Sequence, residues 1–122
     1  MALIFVYGTL KRAHGNYRLL RTSKFIGEGV TVSDNWKMYD GGFPMVTSGG
    51  KFHVKGELFE VDDAKVLNNL DALEGHPDFF RRTPVTIRVG ADEFDAEMYT
   101  VGDNYRRSTM VNPNDNNVVE WR

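Results

Sequence analysis

The chain has 122 residues and a mass of 13.9 kDa, enough for one domain, expected to span residues 1–122 around one core. Its 15 Lys and Arg stand against 17 Asp and Glu for a formal charge of -2, which speaks against nucleic acid or an anionic membrane as partner, because both select for a net basic face. Cysteine is absent, so disulfides, thiolate catalysis and thiolate metal sites are excluded, and the widely spaced His14, His53 and His76 give no expectation of a metal centre.

The opening LIFVY, residues 3 to 7, is a short β-rich apolar run closed by Gly8. It lacks a basic flank and is too brief for a signal peptide or membrane span, so it reads as a first strand and leaves the cytoplasm as the default location. GTLKRAHGN then reads as a loop. Asn16 is the expected cap of a short helix through YRLLRTS, with Leu19 and Leu20 inward. KFIGEGVTVSD has strand composition interrupted by Gly27 and Gly29, the pattern of a bent or bulged strand.

WKMYDGGFPMVTSGG predicts a strand, a tight turn at Gly41-Gly42, a second short strand and a turn at Ser48 to Gly50. FHVKGELFEV alternates Phe52, Val54, Gly56 and Leu58 against His53, Lys55, Glu57, Phe59 and Val61. Apolar residues on both sides predict a strand covered on both faces. A helix is expected from Asp63 to Glu74 with Asp62 as N-cap, its apolar stripe built from Val66, Leu67, Leu70 and Leu73. Gly75 supplies a left-handed C-cap and Pro77 forbids continuation.

TPVTIRV and EFDAEMYTV form a hairpin across Gly90-Ala91-Asp92. The tail from Gly102 is polar, with Val118, Val119 and Trp121 placed to pack back. Six or seven strands with one strong helix, in an order that is not steady βαβ alternation, predict an α+β domain with a strongly bent or barrel-like mixed sheet. The loop after the first strand contains neither GxGxxG nor GxxxxGK, so it is not a phosphate-binding motif.

The most informative side chain is Glu74. It stands four residues after Leu70 and seven after Leu67, which extends the inward stripe. The negative end of the helix dipole and partial burial both disfavour the ionised carboxylate, so its proton affinity should rise. A carboxylate tuned in that way can accept a proton and hand it on near neutral pH. The bland alternative is an ordinary wet glutamate at a helix end. Asp71 competes for the role but is expected to face outward or bond locally.

Two further stretches are candidates. Tyr7, Gly8, Thr9 and Leu10 can present successive backbone N–H groups as a nest for an anion or carbonyl, with hydroxyls from Tyr7 and Thr9; the alternative is a simple turn with Tyr7 in the core. Gly42 and Phe43 combine close backbone approach with an apolar wall, or form a plain tight turn. Arg81-Arg82 and Arg106-Arg107 read as solvated faces, either of which could bind a carboxylate.

Taken together, YGTLK with His14-Gly15-Asn16, then Gly42-Phe43-Pro44, VKGELFEVD and LDALEGHPDFFRR resemble the gamma-glutamylcyclotransferase family, most closely its small branch acting on gamma-glutamyl amines and related amides. The resemblance runs from about Leu3 to Tyr99. It implies a small mixed β-barrel flanked by helices, with a cavity at one mouth. It further implies that Tyr7 to Leu10 bind the substrate's α-carboxylate and neighbouring polar groups, that Glu74 is the acid/base, and that 5-oxoproline and a free amine are released without a cofactor.

The expected partner is a small gamma-glutamyl molecule, on a monomer or weak homodimer. Where related proteins commonly carry tyrosine after Pro77, this chain has Phe79-Phe80, so Phe80 and Arg82 are possible accessories and Tyr39 or Tyr105 could supply the missing hydroxyl. The runner-up reading is a non-catalytic or differently specific binding domain on the same scaffold. A third is an interaction factor displaying Trp36, Phe43 or Trp121.

Overall fold

The computed structural model describes residues 2–76, 78–102 and 109–121. The elements run β1 (Ala2–Val6), a 3-10 helix (Gly15–Leu20), β2 (Lys24–Thr31), β3 (Trp36–Asp40), β4 (Pro44–Ser48), β5 (His53–Val61) and α1 (Ala64–Glu74). They continue with β6 (Arg81–Val89), β7 (Asp92–Thr100), β8 (Thr109–Met110) and β9 (Val118–Val119).

Strands β1, β7, β6, β2 and β5 pair in that order, and β5 returns to β1, which closes a five-stranded barrel. The β1–β7 pairing is parallel and the other four are antiparallel, so the barrel is mixed and the fold is α+β. Closure leaves the barrel strands without an open edge between them. Strands β4, β3 and β8 form a separate three-stranded sheet, joined to the barrel end by the bond from Val101 N–H to the Val46 carbonyl, 2.9 Å.

Alternation along the strands divides the core in two. Phe5, Leu58, Ile87 and Met98 are fully buried in one cluster, with Phe5 opposite both Leu58 and Met98 in register. Ile4, Val6, Phe59 and Val61 turn the other way and meet Leu20 and Leu70 from the two helices. That is the two-faced burial the VKGELFEV pattern predicts. Each such side chain contributes roughly 1.5–3 kcal/mol through burial.

Several local expectations shift. β2 carries its bulge between Phe25 and Gly27, as the glycines predict. The segment after Asn16 is a 3-10 helix that starts at Gly15, preceded by His14 in the cap position, so Asn16 lies inside it and binds Thr9 instead. The N-cap of α1 is Asp63, not Asp62: its Oδ1 accepts from Lys65 N–H at 2.9 Å. Gly75 is left-handed at φ 68° and its N–H closes the last turn, as a C-cap requires. β6 begins at Arg81, two residues before the predicted start, because the ladder with β7 extends to Thr100. The strand count rises above six or seven through the two-residue β8 and β9 of the tail.

Candidate active site

A cavity of about 310 Å³ lies where β1 ends, between the loop that follows it and the last turn of α1. One wall is Tyr7, Gly8, Thr9 and Leu10 with Asn16; facing them are Leu73 and Glu74, with Phe79, Phe80, Phe43, Pro44 and Tyr99 completing the rim. The structure therefore brings together Tyr7, Gly8, Thr9, Leu10, Phe43, Glu74 and Phe80. Gly42 sits outside, at φ 97° in an exposed turn, with its N–H on Asp40 Oδ1 at 3.0 Å.

The loop is held from several sides. Lys11 N–H returns to the Gly8 carbonyl at 3.0 Å and Asn16 N–H to the Thr9 carbonyl at 3.0 Å, while Asn16 Nδ2 donates to Thr9 Oγ1 at 2.9 Å. Among the described residues, these bonds leave the N–H groups of Thr9 and Leu10 without a protein acceptor in the loop, the property expected of a nest. Gly8 is needed for approach: a Cβ there would sit 2.6 Å from Pro44 Cγ. Tyr7 is buried, and its hydroxyl donates to the Tyr99 carbonyl at 2.5 Å and accepts from Val46 N–H at 3.4 Å. That hydroxyl is spent within the protein.

The tail adds a brace that sequence reasoning did not assign. Lys11 is buried, with Nζ donating to the Trp121 carbonyl at 2.5 Å, and the His14 ring lies 5.0 Å from that of Trp121. Burial lowers the Lys11 pKa, against the opposing pull of Glu120 and Glu57. Strand β9 pairs in parallel with the start of β5, His53 opposite Val118. The signal in sequence was the apolar Val118-Val119-Trp121, which marked packing but not its target.

Glu74 is half-buried on the cavity wall. No side-chain hydrogen bond or ion pair holds its carboxyl among the described residues, and burial pushes its pKa up to about 7. Asp71, one turn earlier, has the opposite character. Far from facing outward or bonding locally, it accepts from the Tyr99 hydroxyl at 2.6 Å and pairs with Arg82 Nε at 3.0 Å. Arg82 is accordingly occupied, its second contact being Glu97 at 3.1 Å.

Tyr39 packs against the second core cluster but is not part of the cavity wall. Tyr105, Arg106-Arg107 and Pro77 lie outside the described residues. The phenol on the rim is Tyr99, which sequence reasoning missed. His76 accepts from Arg82 N–H through Nδ1 at 3.2 Å, and His53 Nδ1 lies 2.8 Å from the Thr31 carbonyl. Leu73, expected in the core stripe, is 44% exposed at the cavity lip beside Phe43 and Phe79, each 40% exposed. Trp36 is buried in the barrel core rather than displayed. Among the described residues no helix is long and apolar enough to cross a membrane.

A closed mixed barrel flanked by a helix, with a cavity at one mouth, is the architecture the sequence resemblance implies. The profile of the gamma-glutamyl cyclotransferase, AIG2-like family matches residues 4–121, and the chain belongs to that family. It is 41% identical over 102 residues to a Methanocaldococcus jannaschii protein provisionally named a gamma-glutamylcyclotransferase, covering 81% of this chain and 83% of that one.

Against the gamma-glutamylaminecyclotransferase of Rattus norvegicus it is 38% identical over 106 residues, which cover 73% of this chain and 65% of the rat protein. The matched region thus spans just under two-thirds of the rat relative. The crystal structure of an AIG2-like protein from Mus musculus superposes with a TM-score of 0.77 at 30% identity, covering 88% of this chain and 81% of that one.

Proposed function

We propose that the protein is a gamma-glutamyl cyclotransferase that converts a gamma-glutamyl amide into 5-oxoproline and a free amine, with Glu74 as the proton carrier. Family membership and the names of the relatives support gamma-glutamyl cyclotransfer in general. The single observation that carries the finer reading is Glu74: among the described residues the one carboxylate on a largely apolar cavity wall, opposite a loop with available N–H groups, its proton affinity raised towards neutrality by burial.

The chemistry requires no nucleophilic side chain. The substrate's α-nitrogen attacks its own γ-carbonyl carbon, forming the five-membered ring, and effective molarity replaces enzyme nucleophilicity. Glu74 as carboxylate takes the proton released from the α-ammonium. The carbonyl oxygen, negatively charged in the tetrahedral intermediate, is stabilised by loop N–H groups such as those of Thr9 and Leu10. Glu74 then gives the same proton to the departing nitrogen as the C–N bond breaks, and takes the second proton that the α-nitrogen sheds on becoming the lactam N–H. That proton leaves on the released amine as its ammonium, so atoms and charge balance without water as a reactant. The exposed rings of Phe43 and Phe79 and the Leu73 side chain form an apolar lip for the amine side.

The test is direct. Purified protein incubated with a panel of gamma-glutamyl amides should release 5-oxoproline and amine in equal amounts. A ligand-induced rise in Tm with no 5-oxoproline from any member would show a binding domain instead.

A further inference from the structure

Tyr99 touches both halves of the site at once. It lines the cavity, its carbonyl accepts from the Tyr7 hydroxyl at the start of the loop, and its own hydroxyl donates to Asp71 at 2.6 Å. Asp71 lies three residues before Glu74 on α1, so the two carboxylates occupy neighbouring positions on one helix face. Backbone bonds fix the same turn from the other side: Phe80 N–H donates to the Glu74 carbonyl at 3.1 Å and Phe79 N–H to the Gly75 carbonyl at 2.8 Å.

The end of α1 would otherwise be poorly anchored. Of its residues only Leu70 is fully buried, and Leu73 is exposed. An 11-residue helix with so little core burial depends on tertiary contacts to keep its last turn in place. The bonds at Asp71 are well suited to that task, because Asp71 and Arg82 are both mostly shielded from solvent, with side-chain exposures of 19% and 22%. A hydrogen bond to a charged group in such a place is stronger than a neutral one.

We propose that the Tyr99 hydroxyl and Asp71 form a tether that keeps the last turn of α1 closed over the cavity, making Tyr99 a positioning residue for proton transfer by Glu74. The inference rests on the reading of Glu74 as acid/base. Burial is the cause of the raised Glu74 proton affinity, so releasing the tether lets the carboxyl reach water and lowers that affinity towards the ordinary carboxylate value.

Tyr99→Phe isolates the effect, since it removes one hydroxyl while leaving the ring, the carbonyl and every charge. Among the described residues, the charged and titratable groups around the turn remain in it: Tyr7 after β1, Arg82 from β6, Glu97 from β7, Asp71 on α1 and His76 after the cap. The phenols of Tyr7 and Tyr99 are both pushed upward by burial, well clear of neutral pH.

The experiment reads the Glu74 carboxyl by carbon-13 NMR titration and, in parallel, kcat and KM for a gamma-glutamyl amide. It uses the full chain and the variants Tyr99→Phe, Asp71→Asn and Asp71→Ala. Tyr99→Phe should lower the midpoint by on the order of one pH unit and cut kcat by roughly tenfold, with KM within about threefold. Asp71→Asn keeps an acceptor oxygen for the Tyr99 hydroxyl and should retain several times the kcat of Asp71→Ala.

An unmoved midpoint with kcat within about twofold in Tyr99→Phe overturns the tether. Should that variant not fold, equal losses in the two Asp71 variants do so. If the wild-type chain releases no 5-oxoproline, the acid/base reading fails, while the NMR titration still decides whether Tyr99 holds Glu74 in the cavity.

Discussion

Two glutamates flank the loop after β1, and they are treated in opposite ways. Glu57, on β5, is 8% exposed, accepts from Arg12 N–H at 2.8 Å and pairs with Arg12 Nε at 3.5 Å. The Arg12 guanidinium in turn lies 3.6 Å over the Phe25 ring. Glu74 is half-buried on the other side of the loop and has neither a hydrogen bond nor an ion pair among the described residues. A satisfied buried carboxylate holds structure together, whereas an unsatisfied one costs stability and is free to exchange a proton. The contrast is the basis for proposing Glu74, and not Glu57, as the proton carrier.

The largest effect should come from removing that exchange. Glu74→Gln keeps size and most hydrogen-bonding capacity but cannot cycle a proton, so 5-oxoproline formation should fall by about 100-fold or more with the circular dichroism spectrum unchanged. More than about a tenth of wild-type turnover in this variant would remove Glu74 from proton transfer. In the wild type the acid limb of kcat/KM should lie near the Glu74 pKa of about 7, since only the carboxylate can take the first proton.

The same group fixes the sign of a stability effect. Its folded pKa is raised to about 7 from an ordinary 4.5, so the folded state binds the proton more tightly than the unfolded chain. The stability Glu74 contributes by this route is therefore fully present below 4.5 and is lost as pH rises through about 7. Glu74→Gln lacks the titration, so the Tm of the variant minus that of the wild type should grow between pH 4.5 and 8, by a few degrees at most. A difference that is flat or shrinks across this range would place Glu74 in water.

Glu57 should give the reverse pattern. Glu57→Ala leaves Arg12 without its carboxylate and should cost about 1–3 kcal/mol in urea denaturation. Activity per folded molecule should change by less than about tenfold, because the loss is one of bracing and not of proton transfer. If Glu57→Ala abolished turnover while Glu74→Gln spared it, the roles drawn from the comparison would be exchanged.

Which of these features were legible in sequence follows from the range of the interactions. Glu74 was readable because everything that places it is local: Leu67 and Leu70 on the same stripe, and Gly75 to stop the helix. The barrel could be anticipated from the two-sided burial of VKGELFEV and the glycines of β2. Tyr99 could not, because its role arises from Tyr7, 92 residues away, and Asp71, 28 residues away. No period or cap in β7 distinguishes it from any other buried aromatic. Arg82 and Asp71 were misread for the same reason: each looked like a surface charge until β6 and α1 were brought together. The tail was opaque because a two-residue strand has no pattern, and its grip on the loop runs through the Trp121 carbonyl, which carries no side-chain signature.

The loop itself offers a smaller test of the comparison. Gly8→Ala would place a methyl 2.6 Å from Pro44 Cγ, so the loop and the proline ring must move apart. A shift of the loop should raise KM by roughly tenfold, because binding depends on where its N–H groups stand. An unchanged KM would mean that the substrate does not lean on this stretch of backbone.

The smallest expected effect lies on the lip, and its dependence on substrate matters more than its size. Phe79 is 40% exposed, its ring 5.0 Å from that of Phe80 and 6.2 Å from that of Phe43. Phe79→Ala removes apolar surface from the lip proposed to meet the amine side of a substrate. KM for an amide of a bulky apolar amine should rise by about three- to tenfold, as loss of roughly 1 kcal/mol of apolar contact dictates, while KM for the amide of ammonia or methylamine should hardly move. Equal losses for both would mean that the lip supports the helix turn carrying Glu74 and does not read the leaving group. Phe79 would then belong with Asp71 and Tyr99 among the residues that position the acid.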